Sequence, residues 1–183
     1  NKLFFFLKKC FNCEIHLINN FNKINKKNIS NLRNYLSQNK INFIVLSGGE
    51  DIGKNKLRDT TEKNLLKFAL QQKIPLLGLC RGMQLINLYF KGKLKKIKGH
   101  VKRKNKLYLK SGKKYRKVTC FHGNGIKKLG DGLHVMHKSY DNEIESIKHK
   151  NKKLLGMMWH PERFKNFQKS DIKLIRDFAK SKK

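Results

Sequence analysis

No run in this chain approaches the roughly 20 consecutive apolar residues that a helix needs to cross a bilayer. The N-terminal block Leu3-Phe4-Phe5-Phe6-Leu7 is too short for a secretory core, and no small-residue cleavage site follows it. Neither a membrane-spanning helix nor a secretory signal is expected, so the expected compartment is the cytoplasm and no membrane partner is foreseen. Arginine is also scarce: lysine supplies 37 of the 44 basic residues. Base-edge readout relies on the bidentate guanidinium fork, so the net charge of +32 is read as solvated lysine faces produced by a chain-wide bias toward Lys and Asn. Nucleic acid is not expected as a partner. Tryptophan occurs once and the hydrophobic fraction is 38%, low but within the globular range. A length of 183 residues suits a single domain over 1–183, burying roughly two-thirds of its unfolded surface in one core.

Cysteine is sparse as well, with four in the chain. Cys10 and Cys13 form a lone C-x-x-C, whereas a structural zinc site wants four ligands. The only complement in view, Cys120 with His122, lies far along the chain without paired spacing. Neither a metal nor any other cofactor is expected on this reading. Cys80 stands apart because of its neighbours.

What the chain does contain is an alternation of helical and extended patterns. Leu3 to Cys13 reads as a helix and Glu14 to Ile18 as extended. Asn28 to Gln38 reads as a helix capped by Asn28 or Ser30, and Asn42 to Leu46 as a buried strand ending in Ser47-Gly48-Gly49. Asp59-Thr60-Thr61-Glu62 has the form of a capping box, followed by the apolar face Leu65, Leu66, Ala69 and Leu70. The continuous apolar run Ile74 to Leu79 suits a strand covered on both faces, and Met83 to Phe90 resumes helical spacing. Such an order predicts an α/β fold with a doubly wound, mostly parallel sheet and helices on both faces. The densest basic run, Lys91 to Lys117, interleaves Leu94, Ile97, Val101, Leu107, Leu109 and Tyr115 with lysine, as strands with one wet face do. Further strands are predicted at Tyr115–Phe121, His134–Lys138, Ile144–His149 and Leu154–Trp159, with an amphipathic helix at Ser170–Ala179.

Chemistry concentrates in Gly78-Leu79-Cys80-Arg81-Gly82, which has the small-x-nucleophile-x-small form of a nucleophile elbow between a strand and a helix. A sharp turn at the nucleophile requires small flanking residues, and the following helix N-terminus is expected to lower the thiol pKa. A thiolate needs a proton donor for its leaving group. His160 is the candidate, because Trp159-His160-Pro161-Glu162 follows an apolar strand and Pro161 biases His160 toward extended backbone. Residues i and i+2 of an extended segment face the same way, so Glu162 is expected to orient the His160 imidazole as the third member of a triad.

Ser47-Gly48-Gly49-Glu50-Asp51, Pro75 through Gln84, and Gly156 through Glu162 resemble, in this order, the three blocks of class I glutamine amidotransferases, in the γ-glutamyl hydrolase-like (peptidase C26-like) branch. The resemblance implies a flavodoxin-like three-layer fold. It also implies Cys80 as nucleophile, His160 as general acid/base and Glu162 as its orienting partner, with the N–H groups of Gly49 and Arg81 as oxyanion hole. Arg58, with Asp59 and Glu62, resembles the R-D-x-x-E block of the branch, and Gln84 and His122 stand where the family holds the glutamyl moiety. Relatives begin with a strand before their first helix, whereas Asn1 stands at or inside that helix, so the domain is expected to lack its first strand. The short connection between Gly49 and Arg58 most resembles γ-glutamyl-CDP-amidate hydrolases of capsule modification, implying a γ-glutamyl substrate with a nucleotide diphosphate moiety. A glutaminase serving a separate synthase, a γ-glutamyl-GABA hydrolase and a non-enzymatic basic binding protein are the alternatives.

Overall fold

A computed structural model describes residues 2–20, 22–109 and 115–181, and for 102–109 and 115–116 it describes the backbone alone. Helix α1 (Lys2–Cys10) is followed by chain that is in neither helix nor sheet, so the segment Glu14 to Ile18, expected to be extended, pairs with no strand. Helix α2 (Lys26–Gln38) is capped by Asn25, whose side chain accepts from the Asn28 N–H, rather than by Asn28 or Ser30. Strand β1 (Ile44–Leu46), helix α3 (Lys56–Gln72), strand β2 (Leu76–Leu79) and helix α4 (Arg81–Tyr89) complete the first half. The second half carries β3 (Lys93–Lys96), β4 (Val101–Leu109), β5 (Tyr115–Phe121), β6 (Asn124–Lys128), β7 (Leu133–Ser139), β8 (Ile144–His149) and β9 (Leu154–Met157). A single 3-10 turn at Pro161–Arg163 and helix α5 (Lys169–Lys180) follow.

Seven strands form one sheet in the order β1-β2-β9-β8-β7-β4-β5. β1, β2 and β9 are parallel, and every further neighbour pairs antiparallel. The sheet is therefore mixed, and the expectation of a mostly parallel sheet holds for the part that runs from β1 to β9. Side chains alternate between the two faces as the pleat requires. Leu76 of β2 and Leu154 of β9 join the core beneath α2, α3 and α4. Leu77, Leu79, Leu155 and Met157 join a second core shared with Phe6 and Leu7 of α1 and Ile175 and Phe178 of α5. This placement of helices on both faces gives three layers, as predicted. Arg176 of α5 donates to the carbonyls of Lys9 and Cys10, satisfying the end of α1.

β3 and β6 form a separate two-stranded antiparallel sheet that the sequence pattern does not predict. The lysine-rich stretch from Lys91 to Lys117 supplies β3, β4 and the start of β5, but the side chains of Leu107, Leu109 and Tyr115 lie outside the described residues. No helix among the described residues is long and apolar enough to cross a membrane.

Candidate active site

The register of the three parallel strands sets the site. Leu46 pairs with Gly78 and Leu79 with Met157, so the segments beginning at Ser47, Cys80 and Met158 leave the sheet side by side at its C-terminal edge. That edge is where open α/β sheets bind ligands. Cys80 occupies the turn between β2 and α4 with φ 49° and ψ −102°. The angles lie outside the small left-handed region open to L-residues and represent about 1–3 kcal/mol of local strain. The Cys80 N–H is anchored to the Met157 carbonyl at 2.7 Å.

The flanking glycines are forced by packing. A Cβ on Gly78 would stand 2.5 Å from the carbonyl carbon of Gly82, and one on Gly82 would run into the Leu46 carbonyl oxygen. The same crowding joins the loop after β1 to the histidine, because a Cβ on Gly48 would lie 2.5 Å from His160 Cε1. His160 is buried and its Nδ1 lies 2.7 Å from Glu162 Oε1. Their meeting comes about differently from the extended geometry expected: β9 ends at Met157, and Glu162 reaches back from the 3-10 turn that Pro161 starts. Upstream, Trp159 is fully buried and donates its Nε1–H to Asp171 of α5 at 3.1 Å.

Burial pushes the Cys80 thiol up to about 11, while the Arg81 backbone N–H, directed at the sulfur, pulls the other way. Desolvation therefore outweighs the helix N-terminus, contrary to the expected lowering. The resting side chain is a thiol.

Arg58 and Arg81 take unexpected places. Arg81 is 1% exposed, and its guanidinium pairs with Asp59 and Glu62 of α3. Arg58 donates to Glu62 at 2.8 Å and to the Gly48 carbonyl at 2.9 Å, and it packs directly behind Gly49. Asp59 also accepts from the Gly53 N–H at 2.8 Å. Asn55, not Asp59, caps α3, so the capping-box reading of Asp59 and Glu62 is overturned. Their carboxylates instead tie α3 to both the elbow and the Ser47–Gly49 loop. Arg58 thus holds the loop through its Nε and Nη2 groups.

Gln84 donates its Nε2–H to the Asn124 carbonyl at 3.2 Å, and His122 Nδ1 meets the same oxygen at 3.2 Å. His122 belongs to a buried cluster with His100, Cys120 and Glu145 whose candidate ligand atoms all lie within 4.8 Å of one another. The sequence pairs Cys120 with His122 but offers no complement, because His100 and Glu145 arrive through strand pairing rather than spacing. Cys10 is buried and Cys13 exposed.

The chain matches the peptidase C26 family model over residues 25–162. It is 37% identical over 129 residues, 67% of this chain, to the γ-glutamyl-CDP-amidate hydrolase of Campylobacter jejuni; the matched segment spans 63% of that protein. It is 31% identical to one of the subunits of the glutamine-hydrolysing GMP synthase of Methanocaldococcus jannaschii, over 74% of this chain and 72% of the relative. Among solved structures, a glutamine amidotransferase from Thermotoga maritima superposes with TM-score 0.61 at 19% identity, over 76% of this chain and 64% of that one. On the family match and on the geometry of its sheet, this chain belongs to the peptidase C26 family and has the class I glutamine amidotransferase fold.

Proposed function

We propose that this protein is a cysteine-dependent hydrolase that cleaves a γ-glutamyl amide bond and releases glutamate, with residues 1–183 acting as one domain. The observation that carries the reading is the convergence at one sheet edge of three features: the strained turn at Cys80, the Arg81 N–H aimed at its sulfur, and the His160–Glu162 pair against Gly48. Since Cys80 rests as a thiol, His160 takes its proton as the sulfur attacks the γ-carbonyl. The tetrahedral oxyanion is held by the N–H groups of Gly49 and Arg81, donors that must come within about 3 Å without an intervening side chain. Arg58 keeps the Gly49 loop in place from behind. His160, now protonated, gives the proton to the leaving nitrogen. It then accepts one from the water that attacks the thioester, which frees glutamate and restores the thiol. Glu162 orients the imidazole throughout.

The Campylobacter relative supports γ-glutamyl-CDP-amidate as substrate, with CDP-amidate as the leaving group; capsule modification is the setting that the sequence resemblance implies. The similarity to the GMP synthase component favours a second reading, in which glutamine is hydrolysed and ammonia passes to a separate synthase. Turnover of γ-glutamyl-CDP-amidate, γ-glutamyl-GABA and glutamine by the full chain, measured side by side, separates these. Preference for the first is expected, with no release by Cys80→Ala. Preference for glutamine or γ-glutamyl-GABA overturns the substrate, and undiminished release by the alanine variant overturns the mechanism.

A further inference from the structure

His100, Cys120, His122 and Glu145 are all buried and lie at the meeting of three strands. His100 immediately precedes β4, Cys120 lies in β5, His122 directly follows β5, and Glu145 lies in β8. The His122 N–H donates to the His100 carbonyl at 3.1 Å, and the two rings stand 4.9 Å apart, edge to face. Asn124 O can only accept, so His122 Nδ1 carries the hydrogen there. The unused valence of the ring, Nε2, then points to Glu145 Oε1 at 3.4 Å. His122 Nε2 is buried without a hydrogen-bond partner, and Glu145 Oε1, which it faces, is shared with His100 Nδ1 at 3.0 Å. A buried, unpartnered imidazole lone pair that faces a buried carboxylate is costly unless a cation stands between them.

We propose that His100 Nδ1, Cys120 Sγ, His122 Nε2 and a Glu145 carboxylate oxygen bind one divalent ion of the zinc class, closing the ends of β4 and β5 onto β8. The spacing suits it. Ligands at zinc distances of about 2.0–2.3 Å in a tetrahedron stand roughly 3.3–3.8 Å apart. Here His100 Nδ1 is 3.0 Å and His122 Nε2 3.4 Å from Glu145 Oε1, and Cys120 Sγ is 3.8 Å from Glu145 Oε2. A sulfur, two imidazoles and one carboxylate select zinc over magnesium or calcium. Two anionic and two neutral ligands also leave no net charge in the buried site.

The outer contacts follow the pattern of protein metal centres, in which each ligating histidine gives its other N–H to an oxygen. His100 Nε2 meets Asp141 Oδ2 at 2.8 Å, and His122 Nδ1 meets the Asn124 carbonyl. With four protein ligands, all buried, the ion is structural rather than catalytic. His100 faces a carboxylate from each ring nitrogen, Asp141 at 2.8 Å and Glu145 at 3.0 Å; the ion displaces the hydrogen on the Glu145 side and the Cys120 thiol proton, both of which pass to solvent. Gln84 of α4 holds the Asn124 carbonyl that orients His122, so the site also supports the helix that follows Cys80.

Titrating the full chain, stripped by chelator, with Co(II) and then Zn(II) tests the site without any assay of catalysis. Expected are uptake of about one ion per chain, visible bands of tetrahedral cobalt, a near-ultraviolet thiolate-to-cobalt band, and displacement of cobalt by zinc. Cys120→Ser should lose the thiolate band, Cys80→Ala should keep it, and Asp141→Asn should weaken uptake by about 10- to 100-fold. If Cys120→Ser does not fold, the Cys80→Ala and Asp141→Asn responses decide. Absence of stoichiometric uptake by the wild type, an octahedral spectrum, or a thiolate band that vanishes in Cys80→Ala overturns the proposal.

Discussion

Cys80 carries two opposing influences, and their sizes decide its resting state. Desolvation raises the thiol to about 11 from an ordinary 9.0, and the Arg81 N–H recovers only part of that rise. A nucleophile kept as a thiol is shielded from adventitious oxidation and alkylation. The consequence is measurable as the rate of Cys80 alkylation by iodoacetamide, followed by peptide mass mapping as pH rises. The rate is expected to climb through pH 9, to be about half-maximal near 11 and to level only above it, because thiolate is the reactive form. A plateau already reached at neutral pH would instead mean a resting thiolate–imidazolium pair. The elbow was legible in the sequence because the small-x-Cys-x-small pattern is local, with Gly78 crowded against Gly82 within five residues of chain, although Gly82 itself answers to Leu46 of β1. The thiol's state was not, since it depends on what α4 and the surrounding strands exclude. The His160–Glu162 pair was legible by spacing, although a 3-10 turn rather than an extended strand brings the two together.

At the scale of elements, α3 is joined to the site by charge. Asp59, Glu62, Arg58 and Arg81 form one network across α3, the start of α4 and the loop after β1. The i,i+3 spacing of Asp59 and Glu62 looks like a cap when only local partners are considered. Their actual partner, Arg81, stands 22 and 19 residues further on, where no local rule reaches. Removing one carboxylate leaves a guanidinium buried with too little compensation, which costs far more than the pair itself contributes. Glu62→Ala is expected to destabilise the fold by about 3 kcal/mol in denaturant unfolding. Losing the exposed α5 pair through Asp177→Asn should cost no more than about 0.5 kcal/mol. Similar small losses for both variants would show that Arg81 finds other partners.

For the whole molecule, alternation of apolar blocks sufficed to predict the layers and the strands β1, β2 and β9, because continuous burial on both faces leaves a continuous apolar run. β3 falls in the lysine-interleaved run that reads as strand with one wet face, but its partner β6 escaped the pattern because Lys127 and Lys128 leave only Ile126 as an apolar residue, which imitates surface loop. Those lysines belong to a field set by a net charge of +32. Such a field attracts anions over distances comparable to the Debye length, about 8 Å at physiological salt, and is screened as salt rises. A diphosphate-bearing substrate feels it strongly, whereas net-neutral glutamine does not. For the proposed CDP-amidate substrate, kcat/KM should therefore fall as sodium chloride is raised from low to above-physiological concentration, mainly through a rising KM. The same parameter for glutamine should stay nearly flat. The comparison is internal, since any general effect of salt on the fold or on His160 moves both substrates together. Parallel salt profiles would mean that the lysines act as solvated surface alone and contribute nothing to capture of the nucleotide.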